Sequence, residues 1–224
     1  MHPAPATAGR LEIVSDAICP WCWIGKAHLD AALELLRAEG LVFEIGWLPY
    51  QLNPEMPTEG VERRAYRTQK FGSWERSQEL DAQVADACRA AGVAFRHDLM
   101  LRTPNTVEAH RLVRLSADAG VQHAVMERLF RAYFQEGKDI GDPAVLAAEG
   151  AAAGMPADAI AAFTEGRAAR EEVMGESLGL AQAGITGVPS FLLDRHLLFS
   201  GAMPAERMAD GFRRAVAILR SRAA

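Results

Sequence analysis

Cysteine is scarce in this chain, with three residues in 224. A small disulfide-stapled secreted domain needs more, and an odd count leaves one sulfur unpaired. Long hydrophobic runs are missing too: no stretch approaches the roughly 18–20 consecutive apolar residues of a membrane helix. Positive charge is not in excess, since 24 Lys and Arg stand against 29 Asp and Glu. That argues against a nucleic-acid partner, which calls for a basic face. No block of like charge marks an interaction tail, and no repeat or low-complexity linker interrupts the chain. The opening MHPAPATAGR has no basic segment followed by an apolar one, so it does not read as a secretory signal. Residues 1–10 read as a disordered leader, and a cytoplasmic location is the expectation. In a reducing compartment a close cysteine pair is more often catalytic or metal-binding than structural.

Half of the residues are hydrophobic, enough for a substantial core. Residues 11–17, LEIVSDA, read as a short strand. Pro20 suits a first helical turn, where no amide donor is needed. From Trp21 to about Ala38 the apolar residues Ile24, Ala27, Ala31 and Leu35 recur near helical spacing, and Gly40 ends the run. LVFEIGWLPY (41–50) reads as a second strand, closed by Pro49. From Gln51 to about Ala183 the chain turns Ala-rich and periodic. Helices are expected at 59–71, 73–91, 106–119, 122–135, 143–153, 156–163 and 166–183, with Asp142-Pro143 as an N-cap and first-turn proline. Strands return at 190–193 and 196–200 around a turn near Asp194-Arg195, and a final helix is expected at 204–221. The predicted class is α/β: a thioredoxin-like fold (βαβ…ββα) interrupted by an inserted all-α helical domain. The thioredoxin-like domain would comprise 11–50 and 184–224, and the insertion 51–183.

Cys19 and Cys22 fall where the first strand meets the first helix. Two cysteines separated by two residues can form and release a disulfide with little rearrangement. The thiolate is the nucleophile, and a helix N-terminus stabilises it through unpaired amides and the positive end of the dipole. On this reading Cys19, at the exposed end, attacks, and Cys22, one turn in and shielded, resolves the mixed disulfide. Zinc would need about four ligands; the remaining cysteine is Cys88, and no His-x3–5-His follows. Neither a metal nor a cofactor is called for. Gly187-Val188-Pro189-Ser190 places a proline directly before a strand. Alone it reads as a turn proline. Beside the cysteine pair, a cis Pro189 would present the Val188 backbone to an extended substrate, in the manner of strand addition.

The segments SDAICPWCWIGK (15–26), WLPYQLNPEMPTEG (47–60), PNTVEAHRL (104–112), GITGVPSFLL (184–193) and FSGAMP (199–204) resemble the DsbA family, in particular its FrnE-like branch. The resemblance runs from the first strand to the final helix. It implies a thioredoxin fold with a helical insertion, Cys19 as nucleophile, Cys22 as resolving cysteine and Pro189 as the cis-proline. The intervening pair is Pro20-Trp21, without the histidine of the periplasmic oxidant's pattern, so one source of thiolate stabilisation is missing. A cytoplasmic location would favour reduction or isomerisation. The expected substrates are disulfide-containing proteins or small thiols, with glutathione as a candidate thiol co-substrate. Glutathione-dependent isomerases and transferases, resembling 2-hydroxychromene-2-carboxylate isomerase and kappa glutathione transferase, are the alternative; they typically carry serine where this chain has Cys19. A binding module that keeps the fold without the chemistry is a third reading, which the intact pair disfavours.

Other residues carry two readings each. His110 either lines the cleft between insertion and cysteine pair or packs between helices. Trp21 would stack on substrate, with Pro20 beside it, whereas Trp23 and Trp47 suit core positions. Asn105 reads as a helix cap, and Cys88 as a buried helical residue. Asp16 is either a proton relay for Cys22 or a water-exposed loop carboxylate, the latter being the default. Exposed apolar helix positions would serve a homodimer interface or close the core.

Overall fold

The computed structural model describes residues 7–223, with side chains for residues 7–221. Its first strand, β1 (Arg10–Ser15), buries its last five residues, because it lies inside the sheet. It runs parallel to β2 (Glu44–Pro49) and antiparallel to β5 (Ser190–Leu193), with β6 (His196–Ser200) beyond β5. The parallel pair needs a crossover, which α1 (Pro20–Ala38) supplies. In register, Ile13 stands between Trp47 and Phe191. Side chains alternate across the sheet: Leu11, Ile13 and Phe191 join one core that includes Leu29 and Leu36 of α1 and Phe212 of α9 (Ala205–Ala223), while Val14 and Leu192 pack with Leu180 and Ile185 on the other face.

Between β2 and β5 lie α2 (Arg63–Phe71), α3 (Trp74–Ala90), α4 (Val107–Leu115), α5 (Gln122–Phe134), α6 (Pro143–Ala152), α7 (Ala157–Glu165) and α8 (Arg170–Gln182). These helices share the sheet's core. Trp23 of α1 packs its ring 5.4 Å from that of Phe130 of α5, and Trp47 of β2 lies 6.3 Å from the same ring. The Asp142 cap forms as the sequence suggests, its carboxylate accepting from the Ala144 amide at 2.8 Å ahead of Pro143.

Several boundaries differ from expectation for local reasons. The helix expected from residue 59 starts at Arg63, because Val61–Glu62 form β3, paired with β4 (Arg102–Thr103). Glu62 then caps α2, accepting from the amides of Arg64 and Ala65. The helix expected to run to 119 stops at Leu115, where the Ser116 hydroxyl turns back to the Val113 carbonyl. The helix expected from 166 starts at Arg170, after Ala169 adopts a left-handed φ of 61°. Of the expected disordered leader, residues 1–6 lie outside the described residues. The remainder is corrected: Ala8 donates to the Val42 carbonyl, and Arg10 belongs to β1, its amide bonded to the Asp194 carboxylate. Asp194 and Arg195 form the tight β5–β6 turn with φ of 46° and 66°. Among the described residues, no helix is long and apolar enough to cross a membrane.

Candidate active site

The turn from β1 into α1 sets Cys19 at the N-cap of the helix, in extended backbone geometry, with Pro20 filling the first helical position. The Cys19 amide donates to the Asp16 carbonyl at 3.0 Å, and the Cys19 carbonyl accepts from the amides of Cys22 and Trp23. The first turn of α1 holds no carboxylate, so nothing on the helix itself opposes negative charge at its positive end.

The two sulfurs are driven apart in acidity. The Cys22 thiol donates to Cys19, and with the amides of Cys22 and Trp21 it holds the Cys19 thiol below its ordinary value; burial and the Asp16 carboxylate oppose this. Cys22 is pushed well above the ordinary thiol range, first by burial and then by the adjacent Cys19 sulfur. The Ser15 hydroxyl beside it makes no well-formed hydrogen bond, so burial decides. The two directions make Cys19 the more acidic of the pair and Cys22 the less acidic.

Residues from the far end of the chain complete the site. The Val188–Pro189 peptide is cis, and the Cys19 thiol donates a long hydrogen bond of 3.8 Å to the Val188 carbonyl. This loop is pinned from behind. The Ser190 hydroxyl donates to the Gly187 carbonyl and pairs with the Ser200 hydroxyl, and the Gly201 amide donates to the Pro189 carbonyl. Gly25 on α1 lets the proline ring approach, since a Cβ there would stand 2.8 Å from Pro189 Cγ.

Cys19 opens into a cleft of about 430 Å³. One wall is Pro20, Trp21, Gly187 and Val188; the opposite wall comes from α2 and its surroundings, including Leu52, Tyr66 and Tyr133. Arg63, Arg67 and Lys70 line it, and no carboxylate does. Arg63 and Arg67 share the single buried carboxylate of Asp81, at 2.7 and 2.8 Å. Lys70 is held by the Tyr66 hydroxyl at 2.8 Å. The cleft therefore carries surplus positive charge in a protein of net charge −5.

Three expectations are corrected here. Cys19 is not at an exposed end: it is only 5% exposed, because the cleft walls rise on both sides of the helix start. His110 does not line the cleft. The inward face of α4 buries it, with Nε2 3.2 Å from the Tyr50 carbonyl and 3.5 Å from Asp16 Oδ1. Asp16 is fully buried rather than water-exposed, its Oδ2 accepting from the Leu52 amide at 2.8 Å.

Trp21 stands at the rim, 48% exposed, whereas Trp23 and Trp47 are core residues. The N-cap of α4 is Thr106, without a side-chain cap bond, rather than Asn105; Asn105 stands one residue earlier, its side chain accepting from the Val107 amide and donating to the Met56 carbonyl. Cys88 is buried in α3, which pushes its thiol up to about 11. Sequence reasoning missed the α2 wall and Gly25. Arg63, Arg67 and Lys70 recur at helical spacing, one face of α2, and that signal was available; nothing local to Gly25 announces Pro189 as its neighbour.

Residues 10–213 match the family model described as a DSBA-like thioredoxin domain. A solved probable DsbA oxidoreductase from Streptomyces coelicolor is 30% identical, covering 92% of this chain and 89% of its own, with a TM-score of 0.80. The cytosolic disulfide reductase DsbM from Pseudomonas aeruginosa is 21% identical, covering 97% and 98%, with a TM-score of 0.61, and has also been solved with GSH. The protein YwbO of Bacillus subtilis is 25% identical over 186 residues, 82% of this chain and 86% of YwbO. The chain belongs to the DSBA-like thioredoxin domain family.

Proposed function

We propose that this member of the DSBA-like family exchanges disulfides through Cys19 and Cys22. The observation that supports this best is the placement of two sulfurs at one helix start, Cys19 at the N-cap and Cys22 buried in the first turn, with the Val188 carbonyl 3.8 Å from the Cys19 sulfur. The Cys19 thiolate attacks one sulfur of a substrate disulfide; the substrate S–S bond breaks and its second sulfur leaves as a thiolate. Cys22 then gives up its proton and attacks Cys19. The substrate's first sulfur departs, and the two electrons have passed from the protein dithiol to the substrate. Run backwards, the same steps oxidise a substrate dithiol.

The cleft favours small acidic thiols or acidic segments of protein substrates, because cations line it without a carboxylate. Glutathione, with its carboxylates, has that chemistry. The exposed Trp21 indole and the Val188 backbone would hold the substrate chain beside Cys19.

The test is reduction of insulin or a model disulfide by wild type, Cys19→Ser and Cys22→Ser. Loss of activity in Cys19→Ser, with a mixed disulfide accumulating in Cys22→Ser, is the expected outcome. Exchange surviving in Cys19→Ser would overturn the assignment.

A further inference from the structure

The reaction above uses no carboxylate, yet one is buried three residues before the nucleophile. Asp16 is fully shielded from water. Its Oδ2 has the Leu52 amide, but Oδ1 has no hydrogen-bond partner. A buried carboxylate oxygen left without a partner is costly, and its field is poorly damped in such surroundings. The turn that makes Cys19 the helix cap also brings this residue close, since the Asp16 carbonyl receives the Cys19 amide.

What faces the free oxygen is His110 Nε2, 3.5 Å away. The same nitrogen lies 3.2 Å from the Tyr50 carbonyl. A carbonyl only accepts, so that contact assigns the ring hydrogen to Nε2. With that hydrogen on the Tyr50 carbonyl, His110 Nε2 stands beside the unpaired Asp16 oxygen without bonding it, so the ring's polar edge is the nearest group facing the carboxylate. The Asp16 carboxylate acts on the Cys19 thiol and the Tyr133 phenol of α5, and the Asp16 backbone on the Cys22 thiol; Arg63 and Arg67 of α2 act on Tyr133.

We propose that Asp16 and His110 form a buried positioning pair that sets the acidity of Cys19 and thereby the redox balance of the Cys19–Cys22 couple. Asp16 opposes thiolate formation at Cys19, and His110 limits that opposition. Without the carboxylate, the reduced form would be more strongly stabilised and the couple more oxidising. The pair therefore holds the protein toward the reducing side. This inference rests on Cys19 being the nucleophile.

The test is a thiolate titration of the reduced protein by absorbance at 240 nm, with the equilibrium against glutathione measured alongside. Asp16→Asn keeps the shape and can still accept from the Leu52 amide, so a purely structural role would leave the titration unmoved. Its thiolate midpoint should fall by about one pH unit. The dithiol–disulfide equilibrium should move toward the dithiol by about the corresponding tenfold. His110→Gln should move the midpoint upward by less, and the double variant should match Asp16→Asn, because His110 acts through Asp16. An unmoved midpoint in folded Asp16→Asn overturns the inference. Should that variant not fold, an unmoved or lowered midpoint in His110→Gln does so. A lowered midpoint in Asp16→Asn supports it, and a raised one overturns it, even where Cys19→Ser retains exchange activity, a result that would overturn the nucleophile assignment instead.

Discussion

The two walls of the cleft are built in opposite ways. On the thioredoxin side the Cys22 thiol works with backbone groups: the amides that open α1, the Val188 carbonyl and the cis peptide before Pro189. On the helical side they are side chains: Arg63, Arg67, Lys70 and Tyr66, projecting from one short helix. In the proposed exchange the helix-start amides and the Cys22 thiol of the first wall stabilise the sulfur anion. In the same proposal the second wall selects what approaches that sulfur, and side-chain substitution can rewrite it. Chemistry and selectivity are thus placed on different elements, joined through one core by Trp23, Trp47 and Phe130.

The sharpest way to break this comparison is on the first wall. Cys19→Ser should lower the rate of insulin reduction by more than roughly a thousandfold, since an alcohol cannot replace the thiolate in disulfide exchange. Trp23→Ala attacks the join instead. It empties a fully buried site against Phe130 and removes the indole N–H bond to the Ala94 carbonyl. A loss of about 3–5 kcal/mol is expected, measured by urea unfolding of the reduced protein.

Gly25→Ala tests whether the backbone geometry of the first wall matters by itself. The added methyl would meet the rigid Pro189 ring at 2.8 Å, and overpacking of this kind costs about 1–3 kcal/mol. Exchange activity should fall by about tenfold while the α2 wall and its binding strength stay intact, a split visible as a change in kcat rather than KM. Lys70→Ala should do the reverse and have the smallest effect. It should raise KM several-fold for an acidic small disulfide and leave kcat nearly unchanged, because a partly exposed charge contributes about 0–1 kcal/mol. High salt should erase that difference.

The first wall was largely legible in the sequence and the second was not. β1, α1 and β2 follow one another closely, and their signals are local: a strand pattern, a proline at the helix start, a glycine at its end. The same holds for the β5–β6 hairpin and its Asp194-Arg195 turn. Cys19 and Cys22 could be placed because their surroundings are set within a few residues. The burial of Cys19 was misread because the walls that cover it come from α2 and from the loop at Val188. Asp16 reads as a loop carboxylate from sequence because its partners, Leu52 and His110, lie 36 and 94 positions away. The strands β3 and β4 escaped notice because two-residue strands carry no periodicity; only their pairing defines them.

The central claim is that the two sulfurs of one helix start differ in acidity, and alkylation of the reduced protein by iodoacetamide tests it directly. Modification of each cysteine would be followed by mass spectrometry across pH. The nucleophile is the thiolate, so each rate rises with pH and levels off above that thiol's own value. Cys19 is held below the ordinary value and Cys22 well above it. Cys19 should therefore reach half its maximal rate below the value of a free cysteine thiol measured alongside, with Cys22 unmodified over the same range. Faster modification of Cys22, or a Cys19 midpoint above that value, would contradict the account.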